Sequence, residues 1–214
     1  MHVNMPPLRL QHGLIFVAVA LLFFAWGAWL VRPQPAAPAL PWLAEWQAAV
    51  LVPLADNRLS LAMLRTQVEG ELWLQPRLDG ARLLYRAHWQ ASGEPWALEA
   101  ELELDEAERA SLMAAAGLGA AGLGAGGDEQ PLGGQMLAEL GSQAVVGLTL
   151  KPQQAVAAER LLSSVGQPRL RLELGEGQAW VYPEAGLTAH TADEQLLLLQ
   201  VVPRDALGER RSTP

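Results

Sequence analysis

The stretch WALEAELEL, Trp96 to Leu104, alternates without a break. Trp96, Leu98, Ala100, Leu102 and Leu104 fall on one side, and Ala97, Glu99, Glu101 and Glu103 on the other. A period of two belongs to a β-strand, so this segment predicts a strand with one apolar and one wet face. The same pattern extends backwards. In VEGELWL, Val68, Leu72 and Leu74 oppose Glu69, Glu71 and Trp73, and further on Leu83, Tyr85, Ala87 and Trp89 oppose Leu84, Arg86, His88 and Gln90. Asp79-Gly80 and Ser92-Gly93-Glu94-Pro95 supply turns between these runs. Three such strands predict an antiparallel meander. If Leu72 points inward, Trp73 points to solvent or to a partner, so Trp73 is a candidate contact.

At Asp105 the period changes. DEAERASLMAAAG opens with Asp105 as N-cap and Glu108 three residues on, the pattern of a capping box, and closes at Gly117. Residues 117–134 are dense in glycine and are expected to be a flexible loop. Gly117, Gly119 and Gly122 match the dinucleotide-binding spacing. That motif needs a strand before it and a helix after it, whereas here a helix precedes and more glycine follows, so nucleotide binding is rejected. A second round follows: AVVGLTLK as a strand, then a helix from Pro152 to Gly166 burying Ala155, Ala158, Leu161, Leu162 and Val165. RLRLEL, Leu170 to Leu174 with Arg169, alternates again. QAWVYP is a further strand, and Leu196 to Val202, apolar on both faces, is expected to be central in the sheet. The segment RDALGERRSTP, 204–214, reads as a polar, frayed tail.

The head of the chain is of another kind. Leu14 to Val31 is uncharged and mostly bulky, and at 1.5 Å per residue it spans about 27 Å, near the thickness of a bilayer's hydrocarbon core. It exceeds a signal-peptide core in length, and its small-x-small sites fall beside Trp26 or among prolines. An anchor through Leu14, Phe16, Leu21, Phe23, Trp26 and Trp29 is therefore expected, with cleavage as the alternative. Residues 32–41, rich in proline and alanine, read as a semi-rigid linker. From Trp42 to about Leu54, the residues Leu43, Trp46, Ala49 and Val50 recur at helical spacing. Trp46 then packs on its own domain or contacts a partner. The fold class is α+β: a single N-terminal transmembrane helix, then a small mixed domain at 42–203 with antiparallel β-meanders and two to three helices.

Composition narrows the function classes. Of 15 Lys and Arg only Arg9 precedes the apolar stretch, while all 23 Asp and Glu follow it, so the domain is acidic and no nucleic-acid partner is expected. No cysteine exists to form a disulfide, a thiolate zinc site or a catalytic nucleophile. His2, His12, His88 and His190 are too scattered for a local metal motif, and no G-x-S-x-G elbow or phosphate loop is present. Glu99, Glu101 and Glu103 read as a solvated face. No cofactor, metal site or catalytic residue is assigned.

Arg9 and the amino terminus give a slight positive bias before the helix. It places residues 1–13 as a cytoplasmic tail and the domain in the periplasm of a bacterial inner-membrane protein. Anchor, spacer and sheet-rich domain resemble the layout of bitopic accessory subunits of secretion, pilus or lipopolysaccharide-transport machines, a likeness of arrangement without a shared motif. A non-catalytic assembly role with the lipid bilayer and an envelope protein as partners leads. A periplasmic small-molecule or lipid-binding module and an envelope hydrolase are the alternatives, and homo-oligomerisation is not legible. A reporter enzyme active only outside the cytoplasm, fused after Pro214, is expected to be active. A silent reporter on a well-expressed fusion overturns this topology.

Overall fold

The computed structural model describes residues 10–31, 36–77, 80–115 and 129–209, which divide into two units, Met1–Ala36 and Ala37–Pro214. In the first, α1 runs from Leu10 to Leu30 and includes the apolar window Gly13–Leu30, of mean hydropathy 2.3. Its 21 residues make about 31 Å of helix, long and apolar enough to span a membrane. The helix starts four residues before the expected Leu14, taking in part of the expected tail.

The second unit is built on one antiparallel sheet. Its nine strands are β1 (Gly70–Arg77), β2 (Gly80–Ala91), β3 (Glu94–Leu102), β4 (Gln130–Leu132), β5 (Val145–Pro152), β6 (Leu170–Leu174), β7 (Gly177–Tyr182), β8 (Leu187–Ala192) and β9 (Gln195–Val201). Their order is β4-β1-β2-β3-β5-β9-β8-β7-β6. Two meanders, β1-β2-β3 and β6-β7-β8-β9, are thus joined through β5, which pairs with β3 on one side and β9 on the other. The predicted faces of the first meander hold: Leu72, Leu74, Leu83, Tyr85, Ala87, Trp96, Leu98, Ala100 and Leu102 are all buried. Ser92 and Gly93 turn with positive φ between β2 and β3. Asp79 lies outside the described residues, as do the helix end at Gly117 and the glycine-rich stretch through residue 128.

Helices cover the same face. Helices α2 (Pro41–Trp46) and α3 (Val52–Ala55) are joined by a π turn, Gln47–Leu51, where the Val52 N–H donates to the Gln47 carbonyl. Pro53 explains the wide turn, because it has no N–H to donate and its ring would strike a carbonyl in the preceding α-helical turn. Helix α4 (Leu61–Arg65) is N-capped by Ser60, whose hydroxyl accepts from the Met63 N–H at 3.3 Å. Helix α5 (Glu106–Ala115) begins with the predicted capping box: the Glu108 N–H donates to Asp105 at 2.7 Å and the Asp105 N–H to Glu108 at 3.0 Å. Helices α6 (Gly134–Glu139), α7 (Glu159–Val165) and α8 (Arg204–Glu209) complete the set, shorter and more numerous than the two or three expected.

Several boundaries differ from the sequence pattern. Pro152 closes β5 rather than opening a helix, and α7 starts only at Glu159. Between them the chain bonds to the start of β9: the Ala158 N–H donates to Glu194 at 2.8 Å and the Leu196 N–H to Val156 at 2.7 Å. Those backbone bonds outcompete the helical ones, and they bury Val156 while Ala155 is exposed. The glycine-rich segment ends not in loop but in β4 and the start of α6. Strand β8 lacked a strong signal because alanine and threonine fill it. The described part of the expected tail forms α8, Arg204–Glu209, whose Arg204 donates to the Glu184 carbonyl at 2.7 Å and pairs with Asp56 at 2.5 Å. Gly186, at φ +61, makes the turn into β8, where a Cβ would run into the Val202 carbonyl oxygen.

A tryptophan cluster ties α2 to the sheet. Trp42 meets Trp96 edge-on at 4.9 Å between ring centroids, and Trp46 stacks on Trp89 at 4.8 Å with planes 11° apart. Offset and edge-to-face rings add attraction to their large buried area. Replacing Trp96, which is fully buried, by Ala is expected to cost about 3–5 kcal/mol in urea unfolding. His88→Ala, on the exposed face, is expected to stay within about 0.5 kcal/mol.

Candidate functional site

Among the described residues, the face of the sheet opposite the helices has no helical layer packed on it. Its side chains follow from the register. One row crosses the sheet as Glu71, Arg86, Glu99, Thr149, Gln200, Thr188, Val181 and Leu170. The character of the row changes along its length, from charged on β1 to β3, through neutral polar groups, to aliphatic on β6. In an antiparallel sheet, residues directly opposite point to the same face, so this gradient belongs to one continuous surface.

Trp73 sits at the charged end, half-buried, in register with Leu84 on β2 and Pro131 on β4. Leu84 is buried on this outer face even though the helices lie on the other side. The Arg86 guanidinium is 5.7 Å from the Trp73 ring centroid, a cation–π distance. Arg86 also donates to Glu99 at 2.8 Å and makes a two-pronged contact with Glu129, one prong at 3.1 Å. Gln75 donates to the same Glu129 at 2.6 Å. The hydrogen bond from Arg86 and then that from Gln75 hold the Glu129 carboxyl below its ordinary value, while Glu129 above all raises Arg86. Glu101 pairs with Arg82 at 3.5 Å. Two of the three glutamates in the opening stretch are thus matched by arginines of the next strand.

Trp46 is not part of this surface. It is buried, 5 % exposed, against Trp42 and Trp89, and as a partner contact it is corrected to a core residue. The reason is the turn of helix that carries it onto the apolar face of β2 and β3. His88 and His190 both lie on strands, but β3, β5 and β9 separate β2 from β8. Four strand spacings of about 4.8 Å keep these two imidazoles roughly 19 Å apart, too far to act on one atom. Among the described residues, no group of three His, Asp or Glu is placed to hold a metal ion.

At the aliphatic end, Leu170, Leu172, Leu174 and Leu197 are 41, 49, 44 and 48 % exposed. Among the described residues strand β6 pairs only with β7 and is an edge of the sheet. On its helix-side face Arg171 lies 4.9 Å over the Trp180 ring. Strand β9 is central in the strand order, as expected, yet only one of its faces is covered, which leaves Leu197 in the open at the β-bulge between Thr191 and His190. The alternation of RLRLEL was legible in the sequence. That its leucines face outward on an edge was not, because burial depends on neighbours far along the chain.

A separate groove of about 600 Å³ opens on the helix side, lined by Leu43, Leu51, Val52, Val165, Tyr182 and Arg169 among others. The Tyr182 hydroxyl donates to the Gly166 carbonyl at 3.2 Å, and burial pushes its pKa up to about 12.

The Glu129 carboxyl sets a pH dependence. Since its folded pKa is depressed, its contribution is complete above the ordinary carboxylate pKa of about 4.3 and fades as pH falls through the lowered value. Arg86→Met is expected to cost about 1 kcal/mol or less at pH 7 and to flatten the loss of stability below pH ~4, read as denaturation midpoints from pH 7 to 3. An unchanged acid limb in the variant would refute the assignment. Neither protein-family models, nor curated proteins, nor solved structures match the chain, so what this surface does is read from its own geometry.

Proposed function

We propose that this protein is a non-catalytic, single-pass subunit of the bacterial inner membrane, whose periplasmic domain docks another envelope protein in an assembly of secretion, pilus or lipopolysaccharide-transport type. One observation carries the reading: among the described residues helices cover only one face of a nine-stranded sheet, and the other presents a half-buried Trp73 beside Arg86, which is itself held by Glu99 and Glu129. Tryptophan and arginine are the residue types that most often anchor protein interfaces. A partner's acidic group can share Arg86 at the rim while an apolar group packs on the indole, which combines specificity with desolvated area. The long apolar helix α1 supports the membrane tether, and the slight positive bias ahead of it supports the orientation.

A photo-crosslinking residue in place of Trp73, in the membrane-anchored chain in cells, is expected to yield one dominant adduct with an envelope protein. Trp73→Ala with Arg86→Ala should release that partner at least about tenfold more readily. Crosslinking no stronger than from the buried Leu98 would sink the docking role.

The groove favours a second reading, a lipid or small-molecule binding module. Its volume of about 600 Å³ lies within the usual range for ligand pockets, and Arg169 and Arg204 stand at its rim over an apolar floor. Native mass spectrometry of the extracted protein distinguishes the two, since a bound lipid displaced by Val52→Trp belongs to this reading alone.

A further inference from the structure

The sequence of β6 is self-complementary, and we propose that β6 pairs antiparallel with β6 of a second copy of this chain, extending the sheet across a two-fold axis through Leu172. The proposal concerns a different surface from the Trp73 site and does not depend on the partner suggested there.

The two edges of the sheet are not alike. At one end, β4 is three residues long and contains Pro131, which has no N–H to offer a further strand. At the other end β6 has five residues and no proline, and every one of them is exposed. Its outer face carries Leu170, Leu172 and Leu174, each more than two-fifths exposed. A long edge with an aliphatic stripe is the surface that natural sheets normally protect. Here a specific occupant fits it.

The charges choose that occupant and its register. A two-fold axis perpendicular to the sheet keeps faces matched only when it passes through a residue, and three such centres give good overlap. Centred on Arg171, the arginine would face its own copy; centred on Glu173, the glutamate would do so. Like charges directly opposite are destabilising. Centred on Leu172, Arg171 faces Glu173 of the second copy twice over, Leu170 faces Leu174 twice, and Leu172 faces Leu172. Within one chain Arg171 hydrogen-bonds Gln167 at 3.1 Å, and Glu173 accepts from Gln178 at 3.0 Å. Among the described residues neither has an ion-pair partner of its own. The second copy supplies both missing partners and sets six leucines side by side across the seam, where cross-strand pairs shield one another.

The cysteine-free sequence makes the test direct. In the full chain in detergent, Leu172→Cys under mild oxidation is expected to give a disulfide-linked dimer, because opposed Cβ atoms come within about 5 Å. Leu170→Cys and Leu174→Cys should crosslink weakly alone and strongly when mixed. Arg171→Glu or Glu173→Arg alone should weaken dimerisation at least about tenfold in sedimentation, and mixing these two variants should restore it. Association that ignores both charge reversals would come from elsewhere, such as α1, and would overturn the proposal. So would crosslinking at position 172 no stronger than from a cysteine at exposed Gln90, in which case β6 serves some other protein.

Discussion

Side chains along a strand alternate between two faces, and nearly all the packing in this domain depends on the apolar set falling on one of them. The apolar positions of β1, β2, β3, β5, β8 and β9 converge on a single layer, and residues of α2 to α5 and α7 close over it. Burial at roughly 25 cal/mol per Å² of apolar surface rewards only that side. A one-residue slip of β3 would carry its leucines into water and Glu99 and Glu101 into the core. Trp42, Trp46, Trp89 and Trp96 concentrate this effect where the first helix of the domain meets β2 and β3.

The same constraint makes the opposite face a surface by default. Arginines on β2 pair with glutamates on β3, Arg86 with Glu99 directly opposite and Arg82 with Glu101 on the diagonal, so charge repulsion along this part of the face is reduced. Trp73 is held there because its own strand neighbours, Leu72 and Leu74, are committed inward. Pro131 of β4, which reaches back from the end of the glycine-rich segment to pair with β1, stands beside Trp73 in register, and Arg86 lies by its ring. A sheet with two ends must also manage two edges, and it does so differently at β4, through brevity and proline, and at β6, through charge and leucine.

Helix lengths show how tertiary hydrogen bonds trim local preference. Residues 153–158 have good helical composition, yet their backbone groups join β9 instead, so α7 begins late and buries Leu161 alone in full. Between α2 and α3, Pro53 would interrupt an ideal α-helix, and the π turn ahead of it keeps Val50, Leu51 and Leu54 on the core. In both places the gain from burying aliphatic side chains exceeds the cost of an irregular backbone.

The apolar helix, the inward faces of β1 to β3 and the capping box of α5 were determined by sequence alone, because each rests on contacts within a few residues. Trp73's outward position followed from the same alternation. The joining of two meanders into one sheet, the burial of Trp46 and the partners of Arg86 were decided only by tertiary structure. So was the exposure of Leu170, Leu172 and Leu174, whose pattern is that of a buried strand. Alternation specifies that a strand has an apolar side, but whether anything covers that side depends on which helices or loops pack on that face of the sheet, and on the outer face of β6 nothing among the described residues does.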